Sequence, residues 1–159
     1  MFFWYVGLSV VLVHLVFRSS GLDYRLVALG ALLPLVVDVP FGQMTYGHAF
    51  ILGISLLVLV MIGTIGRSRL LRRQLLCLPI GVLCGFVLSG AFFHDQVFLW
   101  PLVGGGFGDV ALLPPLTLLV LSEGIGIACI GWMWGRFGLG DGARRSSFLT
   151  SGRLNEVPR

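Results

Sequence analysis

Four side chains of the types that bind zinc are the first candidates for chemistry. They lie at the ends of apolar segments or in the loops between them: Asp38, His48, His94 and Asp95. Imidazole and carboxylate are common zinc ligands, and a catalytic zinc needs three protein ligands and one open position. The four residues therefore form a candidate site for zinc or another divalent metal. The alternative is that they are interfacial polar residues in contact with headgroups and water.

Two further ionisable residues lie inside apolar segments. Glu123 is near the middle of the last one, and His14 is toward the end of the first. An isolated charge at the centre of a spanning helix costs about 2.5–3.5 kcal/mol on insertion scales. We therefore expect Glu123 to be protonated or paired, either as part of a proton relay or in a structural hydrogen bond to a neighbouring helix. His14 is interpreted first as a packed, neutral histidine.

The composition places these residues in a membrane protein. Of the 159 residues, 57% are hydrophobic and only 11% are charged, and the mean hydropathy is +0.97. A soluble domain carries about 25% charged residues. Disordered, collagen-like and disulfide-rich secreted classes are excluded, and nucleic-acid binding is not expected. The three cysteines lie inside apolar runs without metal-site spacing, which indicates small buried hydrophobes: Cys77, Cys84 and Cys129.

Five apolar segments approach the length of a spanning helix, which is about 17–25 residues. They are Phe2–Phe17, Leu26–Phe41, Tyr46–Gly66, Leu75–Phe93 and Ala111–Trp134. The second segment is short and contains Pro34, which could bend it. The predicted fold class is all-α: an integral membrane bundle of about five transmembrane helices over residues 1–135. Residues 136–159 are predicted to be a flexible, polar, cytoplasmic tail.

The arginines predict the orientation of the bundle. Cytoplasmic loops are enriched in Arg and Lys. With five spans and the N-terminus outside, all 11 arginines fall in the two inner loops and the tail: Arg18, Arg25, Arg67, Arg69, Arg72, Arg73, Arg136, Arg144, Arg145, Arg153 and Arg159. We therefore expect a multi-pass protein of a bacterial inner (plasma) membrane with its C-terminus in the cytoplasm. The four candidate ligands then face the opposite side.

Small residues predict close helix packing. Gly81 and Gly85 form a GxxxG motif in the fourth segment, and such residues let helices approach closely in lipid. In the fifth segment four small residues share one face: Gly124, Ala128, Gly131 and Gly135. This face is expected to pack within the bundle, and a dimer contact is the alternative.

The order of several motifs resembles the YdjM-like family of membrane-bound metal-dependent hydrolases. The motifs are Asp23-Tyr24-Arg25, Gly30-Ala31-Leu32-Leu33-Pro34 through Asp38-Val39-Pro40, Tyr46-Gly47-His48 and Phe98-Leu99-Trp100-Pro101-Leu102. The resemblance covers most of residues 1–108. It implies a helical membrane protein with a metal site on Asp and His side chains, and a phosphoester or lipid substrate.

Only two of the five ligands that the resemblance implies are present. Asp38 and His48 are kept, whereas Leu35, Gly85 and Ser89 occupy the positions of an Asp, a His and an Asp. Apolar or neutral residues cannot replace these ligands. Either the site has degenerated, or His94 and Asp95 rebuild it nearer the outer surface, where a metal-bound water could act as the nucleophile.

These observations leave three classes of function. The first is the family-level one, a protein that resembles metal-dependent hydrolases and has a degenerate metal site; no catalytic residue is assigned. The second is a non-catalytic membrane scaffold or partner-binding protein. The third, a proton-coupled transporter, rests only on Glu123 and His14. Membrane lipids are the expected partners, and a homo-oligomer or a membrane-protein partner stays open.

Overall fold

The computed structural model describes residues 1–19 and 21–154, and within these ranges the regular elements are all helical. The α-helices are α1 (Phe2–Phe17), α2 (Tyr24–Asp38), α3 (Phe50–Gly63), α4 (Arg69–Leu75), α5 (Cys77–Ser89), α6 (Asp95–Phe98), α7 (Leu116–Phe137) and α8 (Gly142–Ser151). Short 3₁₀ turns cover Val39–Phe41, Tyr46–His48 and Ala91–Phe93. The predicted all-α fold class is confirmed.

Each of the five predicted apolar segments contains a helix. Among the described residues, three stretches are long and apolar enough to cross a membrane: Tyr24–Phe41, Arg69–Ser89 and Leu116–Phe137. α1 and α3 are apolar but shorter. α3 begins at Phe50 because the preceding residues form a 3₁₀ turn, and α7 begins after Pro115, since a proline restricts the residue before it to extended conformations.

α2 and α5 pack closely against each other, and glycines make this approach possible. A Cβ on Gly81 would lie 2.2 Å from the Val27 carbonyl oxygen, and one on Gly30 would lie 2.1 Å from that of Leu78. Gly85 faces α2 in the same way, 2.7 Å from the Ala31 carbonyl oxygen. The predicted GxxxG contact is therefore made within the bundle, with the two helices running in the same direction.

The prediction for the small-residue face of the fifth segment needs a correction. Cβ atoms on Gly124, Gly131 and Gly135 would meet nothing within 4 Å, so the expectation that this face packs within the bundle is wrong for these glycines. α7 instead contacts α1 through Gly126, where a Cβ would lie 2.2 Å from the Phe3 carbonyl carbon. The sequence pattern identified a small face but not the one that α1 uses.

The segment predicted as a flexible tail contains α8. The Asp141 side chain accepts a hydrogen bond from the Ala143 N–H at the start of this helix, which satisfies one of its free backbone donors. Beyond its end, Leu154 is buried in a cluster that includes Phe137 and Leu22. Apolar contacts therefore hold the segment against the bundle. The last five residues of the predicted tail, 155–159, lie outside the described residues.

The α2–α5 contact predicts opposite outcomes for two matched substitutions. Gly81→Ala places a methyl group against backbone atoms of α2 and should destabilise the protein by about 1–3 kcal/mol through overpacking. Gly131→Ala fills open space on α7 and should leave stability unchanged or raise it by up to about 1 kcal/mol, because alanine favours a helix over glycine. Unfolding of the two variants in the same detergent measures the difference. Equal losses would contradict the assigned packing.

Candidate functional site

Asp38, at the end of α2, holds the most extensive polar contact of the described residues. Its side chain is fully buried. One oxygen, Oδ1, accepts hydrogen bonds from the Thr45 hydroxyl at 2.6 Å and the Gly47 N–H at 2.8 Å. The other, Oδ2, accepts from the Thr45 N–H at 2.7 Å and lies 2.7 Å from Nδ1 of His48. Four contacts thus fill the acceptor sites of the carboxylate.

The chain reaches this arrangement through a tight reversal after α2. Pro40 lies in the 3₁₀ turn that follows the helix, and Gly42 then takes a left-handed conformation with φ 66°, which glycine adopts at little cost. The chain returns so that Tyr46–His48 packs on α2. Gly47 is required there, because a Cβ would lie 2.3 Å from the Pro34 carbonyl oxygen and 2.8 Å from the Asp38 carboxyl carbon.

His48 is completely buried beside this carboxylate. Because Asp38 is an acceptor, Nδ1 of His48 carries the proton that is donated to it, and in the neutral ring Nε2 is then an acceptor. Nε2 is buried and has no hydrogen-bond partner among the described residues. A metal-binding histidine commonly donates its other ring N–H to a carboxylate in this way. The pair therefore offers one metal ligand, the Nε2 atom, with Asp38 orienting the ring.

The other two predicted ligands do not join Asp38 and His48 in a group of three that could hold a metal ion within the described residues. His94 and Asp95 are exposed, and the Asp95 carboxylate accepts a hydrogen bond from the Gln96 N–H at 2.8 Å. His94 lines a separate cavity of about 420 Å³ together with Tyr5 and Ser89. Within residues 1–19 and 21–154, no three His, Cys, Asp or Glu side chains are grouped so that they could hold a metal ion. The donor set described here does not supply the three ligands of a catalytic zinc.

Of the three positions where the resemblance implies further ligands, two are used in packing and the third makes a local hydrogen bond. Leu35 contacts the apolar cluster of Met44, Val97 and Leu112. Gly85 lies against Ala31 and Pro34 of α2, so an imidazole there has no room. The Ser89 hydroxyl donates to the Phe86 carbonyl oxygen at 3.1 Å. An imidazole at residue 85 would require α2 and α5 to separate.

Aromatic rings cluster around Tyr46, in the turn that contains His48. The Tyr46 ring contacts two rings edge to face. The distance between ring centroids is 4.6 Å to Phe107 and 5.1 Å to Trp100. Phe41 approaches the same ring at 6.3 Å. Edge-to-face contacts of this kind are favourable beyond the area they bury. They bring the Trp100-Pro101 motif onto the Tyr46-Gly47-His48 motif, although the two are more than 50 residues apart in the sequence.

Glu123 and His14 are separate from this site. The Glu123 carboxylate accepts a hydrogen bond from the Phe3 N–H at 2.8 Å and pairs with the Met1 amino group, so it is paired with the start of α1. His14 is buried, with Nδ1 3.4 Å from the Tyr24 hydroxyl and its ring edge on Phe137. These contacts agree with the interpretation of Glu123 as a paired structural residue and of His14 as a packed histidine.

Thr45 is the residue of this site that the sequence analysis missed. It supplies two of the four contacts to Asp38, one from its backbone and one from its hydroxyl. The available signal was its place next to Tyr46-Gly47-His48 in a chain with few polar residues. A hydroxyl-bearing residue in an apolar run needs a hydrogen-bond partner once it is buried.

Comparison of the chain with protein-family models, curated proteins and solved structures gave no match.

The contacts of Asp38 predict the effect of two substitutions at Thr45. Thr45→Val keeps the shape of the side chain but removes the hydroxyl, which leaves a buried carboxylate with one donor fewer and should cost about 1–3 kcal/mol. Thr45→Ser keeps the hydroxyl and should cost clearly less. Detergent-solubilised variants are compared by thermal unfolding. If the two variants lost the same stability, the hydroxyl would have no role at Asp38.

Proposed function

We propose that this chain is a non-catalytic integral membrane scaffold that binds partner proteins or lipids. It resembles the membrane-bound metal-dependent hydrolases, with structural contacts in place of their metal centre. The observation that carries this proposal is the Asp38 carboxylate, whose four acceptor contacts all come from its own chain. A carboxylate in that state has no free lone pair for a metal. Its effect is to fix the segment between α2 and α3.

The packing at the missing ligand positions supports the same proposal. Gly85 allows α5 to approach α2, and Leu35 belongs to an apolar cluster. Both positions therefore contribute to stability as they stand, and neither is a vacant place for a ligand. A catalytic metal depends on its full ligand set, and neither a glycine nor a leucine side chain supplies a ligand.

The competing function is a hydrolase with a rebuilt metal site on Asp38, His48, His94 and Asp95. One observation favours it: Nε2 of His48 is buried without a partner in the described part of the chain. Metal binding would satisfy that atom. It would also require His94 or Asp95 to move from its exposed position toward His48.

Metal analysis separates the two functions without knowledge of a substrate. We expect protein purified in detergent to contain far less than one zinc per chain, and a chelator to leave its unfolding temperature unchanged. The variants His48→Ala and His94→Ala are measured in parallel. One zinc per chain that is lost in both variants would contradict the scaffold proposal and establish the rebuilt site.

The proposal includes a bacterial inner-membrane location with the arginine-bearing segments in the cytoplasm. Its support is that these segments meet at one end of the bundle: Arg73 donates to the Ser19 hydroxyl, and Arg25 donates to the Leu149 carbonyl oxygen. His48 precedes α3, whereas Thr64, which accepts from Arg72, follows it. A helix of 14 residues rises by about 21 Å, so the two groups lie at opposite ends of α3.

Labelling of introduced cysteines tests this orientation. Gly105→Cys in the loop before α7 should react with a membrane-impermeant maleimide in intact cells. Ser68→Cys, at the start of α4, should react only after the cells are broken. The background is measured on the unmodified chain, whose three cysteines are free. Labelling of Ser68→Cys in intact cells would contradict the assigned orientation.

A further inference from the structure

The last helix, α8, folds back onto the arginine-bearing end of the bundle. The Tyr24 N–H donates to the Gly152 carbonyl oxygen at 2.9 Å, next to the contact between Arg25 and Leu149. Asp23 caps the start of α2 here, and its carboxylate pairs with Arg25 at 2.9 Å. Burial alone would raise the pKa of Asp23, but hydrogen bonds and the charge of Arg25 hold that pKa below its usual value. α8 is thus anchored beside the start of α2.

A cavity of about 360 Å³ lies between α8, the end of α7 and the residues after α8. The polar residues that line it are Arg144, Ser147 and Arg153, and the apolar residues include Phe137 and Phe148. Arg144 and Ser147 are three residues apart on α8, so they share one face of the helix. The volume falls within the range of about 300–1,000 Å³ that is typical of ligand sites.

The two arginines of this cavity have no structural task among the described residues. Other arginines at the same end are engaged: Arg25 with Asp23, Arg72 with Thr64 and Arg73 with Ser19. Within the described ranges, neither Arg144 nor Arg153 forms an ion pair or side-chain hydrogen bond with another residue. Two cations that line one partly apolar cavity repel each other, and an anion between them would remove that repulsion.

We propose that this cavity binds a phosphate group, supplied by the headgroup of an anionic phospholipid. Guanidinium groups bind phosphate through paired, charge-assisted hydrogen bonds, and the Ser147 hydroxyl is a further donor. The aromatic and aliphatic lining suits the glycerol and upper acyl carbons of a lipid. Trp132 and Trp134 lie in the last turns of α7 and are about half exposed, as expected where a helix reaches the headgroup region. Free phosphate has the same chemistry and is distinguished by the experiment.

The experiment uses the full chain in detergent, with lipid retention measured by native mass spectrometry during titration with phosphatidylglycerol or phosphatidylcholine. Arg144→Gln and Arg153→Gln each remove one charge from the cavity. Arg145→Gln is the matched control, because it removes the same charge from the neighbouring position on α8, which does not line the cavity. We expect each cavity variant to weaken phosphatidylglycerol binding about tenfold, since one charged hydrogen bond is lost. Arg145→Gln should change it by less than about threefold.

Three outcomes would overturn the lipid site. Equal weakening in all three variants would show diffuse charge attraction, and equal retention of the two lipids would show no preference for an anionic headgroup. Preserved binding in both cavity variants would show that the arginines are not used.

A separate arm adds inorganic phosphate at constant ionic strength and follows the unfolding temperature. Stabilisation by phosphate that is lost in Arg144→Gln, without lipid retention, would assign the site to free phosphate. The proposal does not depend on the scaffold function.

Discussion

A carboxylate buried among apolar helices must have its charge satisfied by nearby donors, and this requirement determines the path of the chain after α2. Asp38 meets it with two backbone N–H groups, a hydroxyl and an imidazole, all contributed by Thr45, Gly47 and His48. The turn that brings them back also sets where α3 begins. Losing one donor is costly because an unpaired buried charge has no water to replace it. A polar contact therefore positions the apolar helices at this end of the bundle.

The packing of α2 against α5 is linked to the same site. Gly30, Gly81 and Gly85 let the two backbones come within van der Waals contact, which supplies the dispersion energy that holds helices together in lipid. This approach removes the space that an imidazole at residue 85 would occupy. The glycines of this interface therefore serve close packing between the two helices.

The sequence predicted the helical class and the apolar segments well, because spanning helices need long apolar runs whatever their neighbours are. It placed Asp38 and His48 together only as two of four candidate metal ligands, and did not predict their direct pairing. The role of Thr45 was missed, because a single hydroxyl carries no spacing signal until the turn is known. The choice of Gly126 over Gly131 on α7 was missed for a similar reason: both lie among small residues, and only the tertiary contact with α1 separates them. α8 depends in the same way on apolar contacts with residues far away in the sequence.

Amide hydrogen exchange at residues 43–49 tests the central claim most directly, since it reports whether the Asp38 carboxylate orders this segment. The account predicts that the Thr45 and Gly47 amides exchange as slowly as amides in the middle of α2, and that Asp38→Ala releases them without affecting α7. Exchange of these two amides in the unmodified protein as fast as that of the exposed residues Gly104 and Gly105 would contradict it.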